Sequence, residues 1–147
     1  MKVINLTEGS TVYTSNTYLV LGDWKTLADV NGMVDVGRDP AMLERLREAA
    51  TGVGKPKVQR VVLTHGHYDH AGLLPTVREV YRPEVCAASP YLQGVDRLVQ
   101  DGDALELGDG VFEVIRTPGH SSDSICLYCE ANGTLFSGDT PVAIRET

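Results

Sequence analysis

The sequence predicts a mixed α/β (α+β) domain in which strands outnumber helices. Three observations carry this prediction. Short apolar runs bounded by Gly, Asn and Pro recur along the whole chain. Helical signals interrupt them only before Leu98. From Ala104 onward the runs alternate apolar and polar residues, the period of half-buried strands.

Taken in order, residues 17–21 read as a strand, with Gly22-Asp23 as the turn after it. Residues 26–30 and 33–36 read as two further strands, and Asn31-Gly32 between them is a hairpin-forming dipeptide. A helix follows. Asp39 is placed to cap it, Pro40 occupies its first position, and Met42, Leu43, Leu46, Ala49 and Ala50 form an apolar stripe. Gly52 and Gly54 end it. Residues 57–64 read as a strand whose last part, Val61-Val62-Leu63, is apolar without alternation, as in a strand buried on both faces. Residues 73–81 read as a short helix closed by Pro83, 85–88 as a strand, and 90–98 as one or two helical turns. Residues 104–107, 111–115, 124–129 and 134–137 read as strands, the last two joined across Ala131-Asn132-Gly133. The sequence shows no solenoid-type repeat and no low-complexity segment.

A chain of 147 residues is long enough for one domain, spanning 1–147, around one hydrophobic core. Its 42% hydrophobic content excludes a disordered tail. The net charge of -7 repels phosphate backbones, so no nucleic-acid partner is expected. The first apolar stretch is short and interrupted by Glu8, and no run approaches the ~20 apolar residues of a membrane span. A cytoplasmic location without a membrane partner is the expectation. Cys86, Cys126 and Cys129 are too few for a disulfide framework. Cys126 and Cys129 lie three apart in a strand and therefore point to opposite faces, which makes them packed thiols rather than a chelating pair.

The chemistry concentrates elsewhere. The four histidines stand at 65, 67, 70 and 120, three of them in the run His65-Gly66-His67-Tyr68-Asp69-His70 directly after the buried strand. Exposed polar loop residues would have no reason to gather four metal-type side chains there. Strand alternation places His65 and His67 on one side, and a turn through Tyr68 brings Asp69 and His70 to the same pocket. Gly66 lets the backbone bend close to a metal. Imidazole nitrogen with carboxylate oxygen suits zinc, iron or manganese. His120 follows a Pro118-Gly119 turn and Asp139 follows Ser137-Gly138, each aimed from a strand end. His65, His67, Asp69, His70, His120 and Asp139 are therefore the candidate ligands. Asp35 is either a hydrogen-bond partner of a ligand histidine or a turn carboxylate, and Tyr68 either lines the pocket or serves as a spacer.

The run Thr64-His-Gly-His-Tyr-Asp-His-Ala-Gly72 resembles the signature of the metallo-β-lactamase-fold hydrolases. Thr117-Pro-Gly-His-Ser121 and Ser137-Gly-Asp-Thr140 resemble its next two motifs in the right order, and 16–21 and 34–37 resemble its opening strands. The resemblance implies a four-layer αβ/βα sandwich with metals at one edge of two packed sheets. It assigns His65, His67 and His120 to a first metal, Asp69 and His70 to a second, and Asp139 to a bridge between them. Two divalent ions, zinc first with iron or manganese as alternatives, are the implied cofactors. The β-lactam-cleaving members commonly carry Cys at the position of Asp139, so the sequence looks more like the glyoxalase II, lactonase and related esterase or thioesterase branches.

The implied function is that of a binuclear metallohydrolase using metal-bound hydroxide to cleave an ester, thioester or lactone-type bond in a small-molecule substrate. Asp69 is the candidate catalytic proton relay, because a bridging Asp139 has its lone pairs committed. Family members continue past the Gly-Asp-Thr motif with helices, a strand and a further histidine. Here no histidine follows His120 and the sequence stops at Thr147. The expectation is a C-terminally truncated sandwich whose exposed sheet face a second copy would cover. Two other readings stay open at this point. One is an inactive or structural metal-binding fragment of such a hydrolase. The other is an iron-dependent persulfide dioxygenase-like enzyme holding one iron on His65, His120 and Asp139.

Overall fold

The structure, a computed structural model, describes residues 1–24, 26–119 and 121–139. Six strands form a mixed sheet in chain order: β1 (Lys2–Asn5), β2 (Tyr18–Leu21), β3 (Gly32–Val34), β4 (Arg60–Val62), β5 (Glu84–Ala87) and β6 (Arg97–Leu98). The first three pair antiparallel and the rest run parallel to β3. Three helices lie between them in sequence: α1 (Ala41–Glu48), α2 (Tyr68–Ala71) and α3 (Leu74–Tyr81). A second, antiparallel sheet in the order β10-β9-β8-β7 is built from β7 (Ala104–Leu107), β8 (Gly110–Arg116), β9 (Ile125–Cys129) and β10 (Thr134–Phe136).

The two-residue period of a strand divides the interior into two cores. Leu19, Leu21, Met33, Val61, Leu63, Val85 and Ala87 face the helices, where Met42, Leu46, Leu74 and Val77 cover them. The residues between them, Val20, Val34, Val62 and Cys86, face the second sheet and pack on Leu105, Leu107, Phe112, Val114, Ile125 and Leu127. Strands buried on both faces need apolar residues at every position, which explains the unalternating run at Val61-Val62-Leu63. Each such side chain contributes roughly 1.5–3 kcal/mol on leaving water. Among the described residues no helix covers the outer face of the second sheet, where Val111 and Leu135 are exposed. Among the described residues no helix is long and apolar enough to cross a membrane.

Several expected elements differ. Residues 26–30 are a loop rather than a strand. Asp29 accepts the Thr26 N–H, Lys55 Nζ donates to the carbonyls of both, and only Val30 bridges to Gly108. Asn31-Gly32 is therefore no hairpin. Asn31 is fully buried, its side-chain amide donating to the Thr51 and Pro56 carbonyls, and Gly32 opens β3. Glycine is required there by packing, since a Cβ would sit 2.3 Å from Leu107 Cδ2. Residues 90–98 form no helix. Asp96 N–H donates to the Val85 carbonyl and its carboxylate accepts the Val85 N–H, which extends the sheet into β6. Asp39 accepts the Ala41 N–H at 3.0 Å, while Pro40 stands at the cap position it was expected to follow. Strand β1 and helix α2 are additions. Cys126 and Cys129 are free, buried and on opposite faces of β9, as expected of packed thiols.

Leu107→Ala should lower the unfolding free energy by about 2–5 kcal/mol, because the cavity it leaves lies between two sheets that cannot collapse together. Val111→Ala, on the exposed face, should stay within about 0.5 kcal/mol. Urea denaturation of both variants measures the contrast.

Candidate metal centre

The parallel strands β3, β4 and β5 end at the same edge of the first sheet, and β8 and β10, parallel to each other, each end in a loop that joins the cluster. The chain leaves β4 through Leu63 and Thr64, passes His65 and Gly66 outside any strand or helix, and turns from an extended His67 into the single-turn helix α2. That turn is closed by the N–H groups of His70 and Ala71 donating to the His67 carbonyl. Sheet alternation does not extend this far, because β4 ends at Val62. The helical turn does the work of gathering the side chains instead. The Ser15 N–H donates to the Asp69 carbonyl, and the Val36 and Gly37 N–H groups donate to that of His70, locking α2 against the loop after β3.

Donor atoms of His65, His70 and Asp139 lie within 4.8 Å of one another, as do those of His65, His67 and Asp69. Asp139 Oδ2 stands 3.1 Å from His70 Nε2 and 3.6 Å from His65 Nε2, and Asp69 Oδ2 is 3.5 Å from His70 Nε2. The His65 and His70 rings are 3.9 Å apart, and His67 meets His65 edge-on at 4.6 Å. Five of the six candidate ligands are thus brought together. The sixth, His120, lies outside the described residues. Gly138, immediately before Asp139, has a φ of +57°, and a Cβ there would meet Thr64 Oγ1 at 2.7 Å. Both facts require glycine in the Ser-Gly-Asp turn.

Asp35 resolves in favour of an orienting role. It is 3% exposed and holds a φ of 60°, a left-handed conformation that Asp tolerates at a cost of about 1 kcal/mol. Its carboxylate accepts from Thr64 N and Thr64 Oγ1 and from His70 Nδ1, each at 2.8 Å. A carboxylate only accepts, so Nδ1 of His70 carries a hydrogen, and in the neutral ring Nε2 carries a lone pair. Nε2 is buried and faces two carboxylates. Such an array is repulsive until a cation joins it, which is the donor chemistry of a metal site. The titration of His70 reports the same field. Burial lowers its affinity for a proton, but the hydrogen bond and charge of Asp35, with Asp139 and Asp69, outweigh burial and raise its pKa to about 9. His65 moves the other way, first through burial and then through the neighbouring charge of His70.

The cluster separates two clefts. One of about 390 Å³ is lined by Asp69, His70, Asp139, Tyr13, Tyr18 and Phe136, among others. The other, of about 630 Å³, is lined by His67 with Pro90, Tyr91, Leu92, Arg116 and Asp123. Tyr68 lines neither cleft. Its ring points outward, with the Arg38 guanidinium 5.4 Å from its centroid. Thr64 and Asp123 were not singled out from the sequence. The Ser121-Ser-Asp-Ser124 run, rich in side chains that bond local backbone, was the available signal for Asp123.

Two packed sheets with imidazoles and carboxylates gathered at a shared edge form a metal-binding type of site. The family model described as "Metallo-beta-lactamase superfamily" matches residues 10–93 and 82–143, and the chain belongs to that superfamily. It is 32% identical over 105 residues to the hydroxyacylglutathione hydrolase of Rhodospirillum rubrum, covering 69% of this chain and 41% of that protein. It is 30% identical over 112 residues to the atrochrysone carboxyl ACP thioesterase of Aspergillus fumigatus, covering 74% of this chain and 35% of that protein. The chain therefore spans less than half the length of these relatives. The crystal structure of BLEG-1 B3 metallo-beta-lactamase matches with a TM-score of 0.71 and 25% identity, covering 97% of this chain and 74% of that one. The expected metallo-β-lactamase sandwich is the fold, and the described residues supply one helical layer and both sheets of it.

The folded pKa of His70, about 9, lies above its ordinary value of 6.5. Its contribution to stability is therefore complete below about pH 6.5 and is lost as pH rises through about 9. In chelator-treated protein, the urea midpoint should fall across that interval, and Asp35→Asn should flatten the fall. A wild-type midpoint that does not change with pH there rejects the assigned Asp35–His70 bond.

Proposed function

We propose that this chain holds the metal centre of a hydrolase that cleaves a thioester, ester or lactone-type bond. The observation that supports it best is the convergence of donor atoms from His65, His67, Asp69, His70 and Asp139 at one sheet edge. His65, His67, Asp69, His70 and Asp139, with His120 from outside the described residues, would hold two divalent ions, zinc being the first expectation. Bound ions of this kind supply an acidified water and a Lewis acid for the oxyanion that develops on the attacked carbonyl.

The protein's own groups do the rest. Asp35 and Thr64 fix the tautomer and direction of His70. Asp69, half-buried beside the cleft and with its Oδ2 3.5 Å from His70 Nε2, is the proton relay. The 390 Å³ cleft is within the range of small-molecule sites, and its mostly polar lining includes Tyr13, Tyr18, Leu135 and Phe136 as the part an acyl group would contact. Thioesters come first among the substrates because one relative is named a thioesterase and another for an acyl group carried on glutathione.

Metal analysis of the full chain, with hydrolysis of thioesters, lactones and aryl esters in added zinc, tests this reading. His67→Ala and Asp139→Ala should each lose most of the metal and lower hydrolysis at least ~100-fold. Unchanged metal content in both variants rejects the site. A single iron per chain with oxygen uptake, and no hydrolysis, replaces the hydrolase with a dioxygenase.

A further inference from the structure

We infer that Asp123 is a positioning residue that fixes the His65–Gly66 peptide, and with it the path by which the backbone delivers His67 to the cluster. The inference rests on the metal-centre reading above. Asp123 Oδ2 accepts the Gly66 N–H at 2.8 Å across 57 positions of sequence. Its other oxygen, Oδ1, accepts Ser121 Oγ at 2.6 Å, and Ser121 Oγ is 2.7 Å from Ser124 Oγ. Immediately beside this pair, the Ile125 N–H donates to the Thr64 carbonyl at 2.8 Å. The segment carrying His65 is thus clamped to the loop before β9 by two bonds, one backbone and one carboxylate.

Both Asp123 oxygens are engaged by N–H and O–H donors, and Asp123 belongs to neither group of converging donor atoms. It acts through the backbone and not as a ligand. A Cβ at Gly66 would stand 3.1 Å from Asp123 Oδ2, so the carboxylate would have to move by a few tenths of an ångström to make room for it. A carboxylate acceptor makes a bond roughly twice as strong as a neutral one. His65 is buried and held by packing on all sides. His67 is exposed and extended, and its ring meets that of His65 edge-on, so a shift of the backbone at Gly66 moves the ring against its neighbour. Displacing such a group by about 1 Å is enough to cost ~100-fold in function.

Asp123→Ala and Asp123→Asn in the full chain test this. Zinc affinity is measured by chelator competition, geometry by the visible spectrum of the cobalt(II)-loaded protein, and folding by the urea midpoint of metal-free protein. Asp123→Ala should weaken zinc binding ~10–100-fold and shift the cobalt bands while the metal-free midpoint falls by too little to account for that loss. Asp123→Asn keeps a carbonyl for the Gly66 N–H and should lose several-fold less; should the alanine variant fail to fold, the asparagine variant is judged alone. Wild-type affinity and spectrum in the folded variants overturn the inference. So does a fall in metal-free stability that accounts for the whole loss. A wild-type chain that binds neither zinc nor cobalt rejects the metal-centre reading itself, and the role of Asp123 with it.

Discussion

The buried carboxylate of Asp35 joins three parts of the chain that are far apart in sequence. It stands at the end of β3, receives the backbone and hydroxyl of Thr64 at the end of β4, and receives His70 from α2. A charge removed from water is costly unless its lone pairs are filled, and here three donors fill them. The strained backbone at Asp35 is the local cost of aiming the carboxylate inward. In return His70 is held in one tautomer, with its second nitrogen directed at Asp69 and Asp139. The arrangement of the other side chains follows from that direction.

The sheets make this junction possible. Parallel pairing of β3, β4 and β5 places their carboxyl ends along one edge, where the loops carrying Asp35, the histidine run and the wall of the second cleft all emerge. Antiparallel order in the second sheet makes β8 and β10 run the same way, and their ends carry the loops that contain Asp123 and Asp139. The Ile125–Thr64 bond ties the two edges together. A packed interior between the sheets transmits this placement rigidly, since Val34 and Val62, which precede the site loops, face Leu105, Phe112 and Leu127.

The site is electrostatically unbalanced by construction. Asp35, Asp69 and Asp139 surround His70, and His65 lies directly against it. Proton binding at His70 relieves part of that field, and a divalent cation would relieve more of it. The histidines are therefore not interchangeable. His70 is buried and fixed by a carboxylate, His65 is buried with its pKa lowered by that burial, and His67 faces the second cleft. Clefts on two sides give the cluster two approaches, one beside Asp69 and Asp139 and one beside His67.

The sequence by itself determined the mixed sheet, both larger helices and the histidine run, because these depend on local period and residue type. Apolar spacing at 41–48 and 74–81, alternation after Ala104 and four metal-type side chains in one short run need no distant partner to be read. Only the tertiary structure decided how Asn31-Gly32 is used. The pair has hairpin character alone, but burial of Asn31 between two carbonyls and of Gly32 against Leu107 turns it into the start of a strand. The same holds for Asp35 and Asp123. A lone Asp at a strand end or in a serine-rich turn satisfies local backbone more often than a distant motif, and nothing local distinguishes the two cases. Their partners, His70 and Gly66, are 35 and 57 positions away, and only the folding of two sheets onto one edge brings them within hydrogen-bond reach.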